Sequence, residues 1–237
     1  MKEKRRRTIA LVLFVLITVF INLSQNSPPP APVKYKQTVQ TAPAGAMTAA
    51  EALEKLAVKG RAPKTGYART QFLSGWGEVG DCDMRNIILK RDLNDPLIDP
   101  LNGCFVMSGE LGDPYTGKTI EFERGFGTSN DVQIDHVVAL SDAWQKGAQQ
   151  LDETTRNNFA NDPLNLLAVD GPANQEKSDA DFATWLPPNK GYRCRYAARQ
   201  IAVKLKYHLW ITRAEKDAFA RQLATCPGQV LPIERSR

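Results

Sequence analysis

Asp135 and His136 stand side by side in Gln133-Ile134-Asp135-His136-Val137-Val138-Ala139-Leu140. An imidazole of ordinary pKa, about 6.5, can take a proton from water near neutral pH. A carboxylate beside it is an oxygen donor of the kind hard divalent cations prefer. Further on comes Asn161-Asp162-Pro163-Leu164-Asn165-Leu166, then an Asp170-Gly171-Pro172 turn, then Ala173-Asn174-Gln175-Glu176-Lys177-Ser178-Asp179. In this order the chain offers a base, two kinds of oxygen donor and a cation. Phosphodiester hydrolysis needs an activated water, charge neutralisation on the phosphoryl oxygens and help for the leaving oxygen, and this set can supply them with one divalent ion. Taken singly, each residue has a plainer reading. Asn165 suits a strand end, Asn174 a helix cap, and Lys177 an exposed helical face from which it could touch phosphate. Arg85 and Asn86 could contact substrate or simply pack. The ordered set carries the reading, not any one member.

These side chains must be brought together by strands and a helix. Val132 to Val138 reads as a short strand. Leu164 to Val169, an unbroken apolar run, reads as a buried one. Neighbouring residues on a strand point to opposite faces, so Asp135 and His136 can serve one phosphate only where the strand ends. A helix beginning at Ala173 presents Asn174 back across the hairpin. Between the strands, Ser141 is expected to cap a helix through Gln150, and a second short helix covers 154–159. Elsewhere, Thr48-Ala49-Ala50-Glu51 is a capping box opening a helix through Ala57. Residues 83–91 look helical, and 105–108 and 119–122 look like strands joined by Asp113-Pro114-Tyr115-Thr116-Gly117. Residues 193–209 form an amphipathic helix, and Thr212-Arg213-Ala214-Glu215 caps a last one through Thr225. Trp76, Trp144, Trp185 and Trp210 are core candidates. Few strands and many helices give an α+β class.

The chain has 237 residues, organised as a leader, a linker and a domain. Residues 9–23 are almost continuously apolar behind a basic flank, so residues 1–23 are a signal peptide or an uncleaved membrane anchor. Both alternatives place the remainder outside the cytoplasm. Residues 24–47 are rich in Pro and Ala and read as a spacer. The domain is expected at 48–228, with a tail at 229–237. The formal net charge is +5, but residues 2–7 hold five of the 31 Lys and Arg and one of the 26 acids. The rest carries 26 basic residues against 25 acidic, a net +1, so global basicity says nothing of nucleic acid. Local basicity says more: nine Lys and Arg lie between Lys190 and Arg221, against Glu215 and Asp217. Such a face could bind anionic polymers. Cys82, Cys104, Cys194 and Cys226 include no C-x-x-C pair, so they read as two disulfides in an exported chain. Of three connectivities, Cys82–Cys104 with Cys194–Cys226 joins neighbouring segments and is preferred.

The three segments carrying the candidate chemistry resemble the HNH superfamily, the ββα-metal nucleases, in an exported, actinobacterial-type branch with an Asp-His first motif. Gly75-Trp76-Gly77, Cys82-Asp83-Met84-Arg85-Asn86, Asp113-Pro114-Tyr115-Thr116-Gly117, Ala183-Thr184-Trp185-Leu186-Pro187-Pro188 and the four cysteines extend the likeness over most of residues 72–226. The resemblance implies a ββα-metal core embedded in a mainly helical, disulfide-stapled α+β domain. It implies that His136 is the general base, that Asn165 positions it, and that Asp135 and Asn174 are metal ligands. Asn rather than His at 174 points to Mg²⁺, or else Mn²⁺, over zinc. Lys177 and Arg85 are the candidate substrate contacts. The substrate implied is nucleic acid, DNA ahead of RNA, cut with weak sequence preference to leave 5′-phosphate ends. No obligate protein partner is expected. The helical insertion at 141–160 is a departure from minimal members and leaves the strand register open. A rival reading is a non-catalytic envelope protein that uses the basic 190–221 face to hold anionic polymers.

Overall fold

A computed structural model describes residues 46–232. The leader, most of the linker and residues 233–237 lie outside them. Among the described residues no helix is long and apolar enough to cross a membrane.

At the centre is a two-stranded antiparallel hairpin, β6 (Val132–His136) with β7 (Leu166–Asp170). Its register is regular, from Val132 opposite Asp170 to His136 opposite Leu166. The insertion between the strands therefore leaves their pairing undisturbed. Alternation along the strands gives the hairpin two faces. Val132, Ile134, Leu166 and Ala168 face one apolar cluster with Met84, Ile88 and Leu89 of helix α2 (Met84–Asp92). That cluster continues into a three-stranded antiparallel sheet, β3 (Asn94–Ile98), β4 (Val106–Gly112) and β5 (Thr119–Glu123). Leu167 and Val169 face the other way, into a cluster with helices α1 (Ala49–Leu53), α5 (Gly171–Lys177), α6 (Arg193–Lys206) and α7 (Arg213–Leu223). Each fully buried Leu, Ile or Phe in such clusters contributes about 1.5–3 kcal/mol.

The insertion forms α3 (Leu140–Trp144) and α4 (Glu153–Asn161), and builds a third apolar cluster against α6 through Trp144, Phe159, Val203 and Tyr207. The single helix expected from Ser141 to Gln150 is broken. Ala139, not Ser141, precedes it, and Gly147 at φ 121° turns the chain after Trp144. The short helical turn Ala148–Gln150 follows.

The two capping boxes read from the sequence hold. Thr48 and Glu51 form a capping box on α1, although the helix ends at Leu53 rather than Ala57. Thr212 and Glu215 form another on α7. Asp83, Asp152 and Asp170 each accept a backbone N–H at the start of α2, α4 and α5. Strand β3, which contains Pro96, is an element that the sequence reading does not include. Proline lacks the ladder donor and is tolerated here because β3 is an edge strand with broken register. Disulfides join Cys82 to Cys104 and Cys194 to Cys226, as preferred. Residues beyond 228 are no loose tail at first: Ala49 N–H donates to Gln229 O and Leu231 N–H to Met47 O. Two two-residue strands, β1 (Glu78–Val79) and β2 (Cys82–Asp83), lie before α2.

Candidate functional site

Asp170 ends β7 and caps α5 through a 2.8 Å bond from Ala173 N–H, with Pro172 in the first turn. Helix α5 thus begins the moment the strand stops and folds back against both strands. Gly171 permits the reversal, since a Cβ there would lie 2.2 Å from Asn130 O. Asn174 and Lys177, three residues apart, share the face of α5 that meets β6. Asn174 Nδ2 donates to Gln133 Oε1 at 2.9 Å. Lys177 Nζ donates to Asp135 Oδ1 at 2.8 Å and to the His136 carbonyl at 2.9 Å.

Lys177 is fully buried. The exposed lysine expected from helical spacing is corrected: its ammonium is the internal partner of Asp135, because a buried carboxylate so placed requires one. The other Asp135 oxygen, Oδ2, accepts a very short bond from the Tyr115 hydroxyl. Burial raises the Asp135 pKa, against the pull of Lys177 and then the Tyr115 bond. Tyr115 is itself sealed, and burial followed by the neighbouring Asp135 charge pushes its pKa well above 10. It therefore stays a donor. Tyr115 rides on the β4–β5 turn, whose Asp113 accepts from Asp170 N–H at 3.0 Å.

His136 closes β6, and its ring projects to the face opposite Asp135. Nε2 lies 2.9 Å from Ala160 O at the end of α4. A carbonyl only accepts, so Nε2 carries the hydrogen and Nδ1 holds the lone pair. The Trp76 ring lies nearly parallel to the imidazole, at 10° and 5.9 Å. Burial holds the His136 pKa far below 6.5, at about 3; Ala160 O opposes this, and the charges of Arg69 and Lys177 reinforce it. The ring is neutral at physiological pH.

Asn165 is fully buried and lies just before β7, not within it. Its Oδ1 accepts from Val138 N–H at 2.8 Å, and its Nδ2 donates to Val138 O at 3.3 Å and Phe159 O at 3.4 Å. It thereby ties the exit of β6 to the end of α4, on both sides of the His136 anchor. Arg85 sits elsewhere. Its guanidinium donates to Ser129 O and Val132 O at the far end of β6, roughly 13 Å from His136 along the strand. Sequence reasoning had not singled out Tyr115 or Ala160, and it took Trp76 only for a core residue. Tyr115 and Trp76 lay inside segments quoted for the family likeness; a backbone carbonyl leaves no signal in the sequence.

The basic stretch at 190–221 does not form one outward face. Lys204 is buried between Asp142 and Glu215. Arg199 donates to the carbonyls of Pro163, Leu164 and Leu166. Arg193 donates to Pro187 O, and Lys216 pairs with Glu54. The spacing that suggested a polyanion surface mixes side chains that point inward and outward.

No group of three His, Cys, Asp or Glu side chains arranged for a metal occurs among the described residues. The candidate donors are instead one carboxylate and one amide carbonyl. Asp135 has two of about four acceptor positions filled. Asn174 uses its amino group on Gln133, which leaves its carbonyl oxygen for a cation. In donor type the pair suits a hard ion that keeps most of its waters, such as Mg²⁺.

Comparison with known proteins gives three results. No solved structure matches the chain. A protein of Arthroderma benhamiae named "Uncharacterized secreted protein" is 37% identical over 199 residues, covering 83% of this chain and 92% of that one. The family model described as "GmrSD restriction endonucleases, C-terminal domain" matches residues 83–222, a span that holds the hairpin, the insertion and α5. With more than half of its length matched, the chain belongs to the family of the C-terminal domain of GmrSD restriction endonucleases, a nuclease family.

Proposed function

We propose that this protein is an exported, metal-dependent endonuclease that hydrolyses phosphodiester bonds in DNA, ahead of RNA, through an HNH-type ββα site. The observation that carries the reading is the state of His136. Its Nε2–H is fixed on Ala160 O, so Nδ1 is the basic nitrogen, held at the end of a hairpin whose other face bears Asp135. Such a ring takes a proton from water at neutral pH without first losing one. Its low pKa in the free protein is a product of burial and neighbouring cations. An anionic phosphodiester beside it favours the protonated ring and raises its basicity as the reaction proceeds.

Asp135 and Asn174 would hold the divalent ion, Mg²⁺ or Mn²⁺, which when bound supplies Lewis-acid stabilisation of the phosphoryl and leaving oxygens. Lys177 and Tyr115 orient the Asp135 carboxylate. Asn165 fixes the backbone on either side of the base. These are positioning roles. Export rests on the apolar 9–23 segment and on the secreted relative, whose span covers most of this chain.

The purified full chain is expected to degrade plasmid DNA with Mg²⁺ or Mn²⁺. His136→Ala is expected to lose at least about a thousandfold in rate with its fold intact. Undiminished cleavage in EDTA overturns the metal requirement, and undiminished cleavage by the variant overturns the base.

A further inference from the structure

An endonuclease must meet the negative charge of the phosphodiester beside its base. Most cations around the hairpin are committed to the protein itself. Arg85 is bound to Ser129 O and Val132 O. Arg91 and Arg199 hold the carbonyls of Pro163 and Leu166. Arg156 bonds Leu151 O and Gln71 O. Lys177 is buried on Asp135.

Arg69 differs. It is exposed, on the short helical turn Arg69–Gln71, and no described residue hydrogen-bonds to its guanidinium or pairs with it. The turn is anchored around the base. Arg69 O accepts from Phe72 N–H and Leu73 N–H. The Phe72 ring packs at 5.9 Å on Phe159, the residue before the Ala160 carbonyl that holds His136. Arg156 of α4 donates to Gln71 O at 2.8 Å. Four residues beyond Phe72, Trp76 lies against the imidazole. Residues 69–76 therefore wrap the base-bearing side of the hairpin end. Among the described residues the Arg69 guanidinium has no hydrogen-bond or ion-pair partner, which leaves it for an anion at this end of the hairpin.

We propose that Arg69 is a substrate-binding residue that holds a non-bridging oxygen of the scissile phosphodiester beside His136. This rests on the nuclease reading above and adds to it a cation from outside the hairpin and α5. A planar, always-charged guanidinium suits the task because it can donate two parallel bonds to one phosphate.

The test uses the full chain, a duplex oligonucleotide and Mg²⁺. Because Arg69 is exposed, Arg69→Ala should melt with the wild-type protein. It is expected to lower kcat/KM about 100-fold, the scale of one lost charge-stabilising donor. Arg69→Lys should regain part of this. Added guanidinium should rescue the alanine variant and leave the wild type unchanged, a response that a merely structural residue would not give. In a His136→Ala background, binding of the same duplex should lose about one phosphate's worth of salt dependence when Arg69 is also removed. If the wild type cleaves while Arg69→Ala matches it within threefold and keeps its salt slope, this assignment is wrong and the nuclease reading stands. If the wild type cleaves no nucleic acid, that reading fails and takes the assignment with it.

Discussion

Asp135 is a buried acid at the centre of the site, held from two sides by elements far apart in sequence. Lys177 reaches it from α5, and Tyr115 from the β4–β5 turn. Removing the cation strands the carboxylate, and breaking such a pair costs about 3–5 kcal/mol. Lys177→Met should therefore show that loss in urea unfolding, and Asp135→Asn added to it should return part. An unfolding free energy within 1 kcal/mol of wild type for the single variant would show that Asp135 does not depend on Lys177. His136 has a different signature. Its folded pKa, about 3, lies below the ordinary value of 6.5. The unfolded chain thus binds the proton first. The stability this ring supports is intact above pH 6.5 and is lost as pH falls toward 3. At pH 4.5 the deficit against pH 7 is about 2–3 kcal/mol. Replacing the ring with a neutral amide, His136→Asn, should flatten the stability profile between pH 6.5 and 4.5. An unchanged acid limb in that variant would show that the ring is not desolvated in solution.

Among the elements, the hairpin and α5 show what sequence can and cannot carry. The apolar runs and the Asp170-Gly171-Pro172 turn are local signals, and the strands and helix lie where they pointed. The candidate residues Asp135, Asn174 and Lys177 were legible too, as an ordered set. The burial of Lys177 was not, because helical periodicity places a lysine on a face without saying what covers that face. The Tyr115 contact depends on the docking of another turn, and the Ala160 contact on where α4 ends, which no residue type announces. Asn165 joins these elements. Its side chain satisfies Val138 N–H and reaches toward Phe159 O, so it sets where β6 ends relative to α4. Asn165→Ala leaves a buried N–H unpaired, at about 1–3 kcal/mol. It should lower kcat more than tenfold with KM nearly unchanged, because the proposed base shifts while the proposed substrate contacts remain. A variant that loses stability and keeps wild-type kcat would confine Asn165 to folding.

Across the whole described domain, a buried ionic cluster joins parts that the apolar clusters keep separate. Arg61, Lys146 and Lys204 meet Asp142, Asp181 and Glu215, equal in cations and anions. Lys146, Lys204 and Glu215 are fully buried. The members come from the segment after α1, from α3 and the turn after it, from the segment following α5, and from α6 and α7. The insertion that carries the anchor for His136 is thus tied to the helices behind the hairpin. Glu215 is kept charged by Lys204 and Lys146, which outweigh its burial. Glu215→Gln preserves shape while leaving two buried ammonium groups short of one negative charge. The expected loss is about 3–5 kcal/mol in equilibrium unfolding. Asp179→Asn is the internal control, since its pair with Lys64 is half exposed on both sides and should contribute less than about 1 kcal/mol. Because the cluster couples the insertion to α6 and α7, the wild type should unfold in one transition seen alike by tryptophan fluorescence and by nuclease activity. In Glu215→Gln the activity should fail at lower urea than the fluorescence, as the insertion and its Ala160 carbonyl release first. Coincident transitions in the variant, with stability equal to the Asp179→Asn control, would mean that apolar packing alone unites the domain and that the buried charges are mutually replaceable.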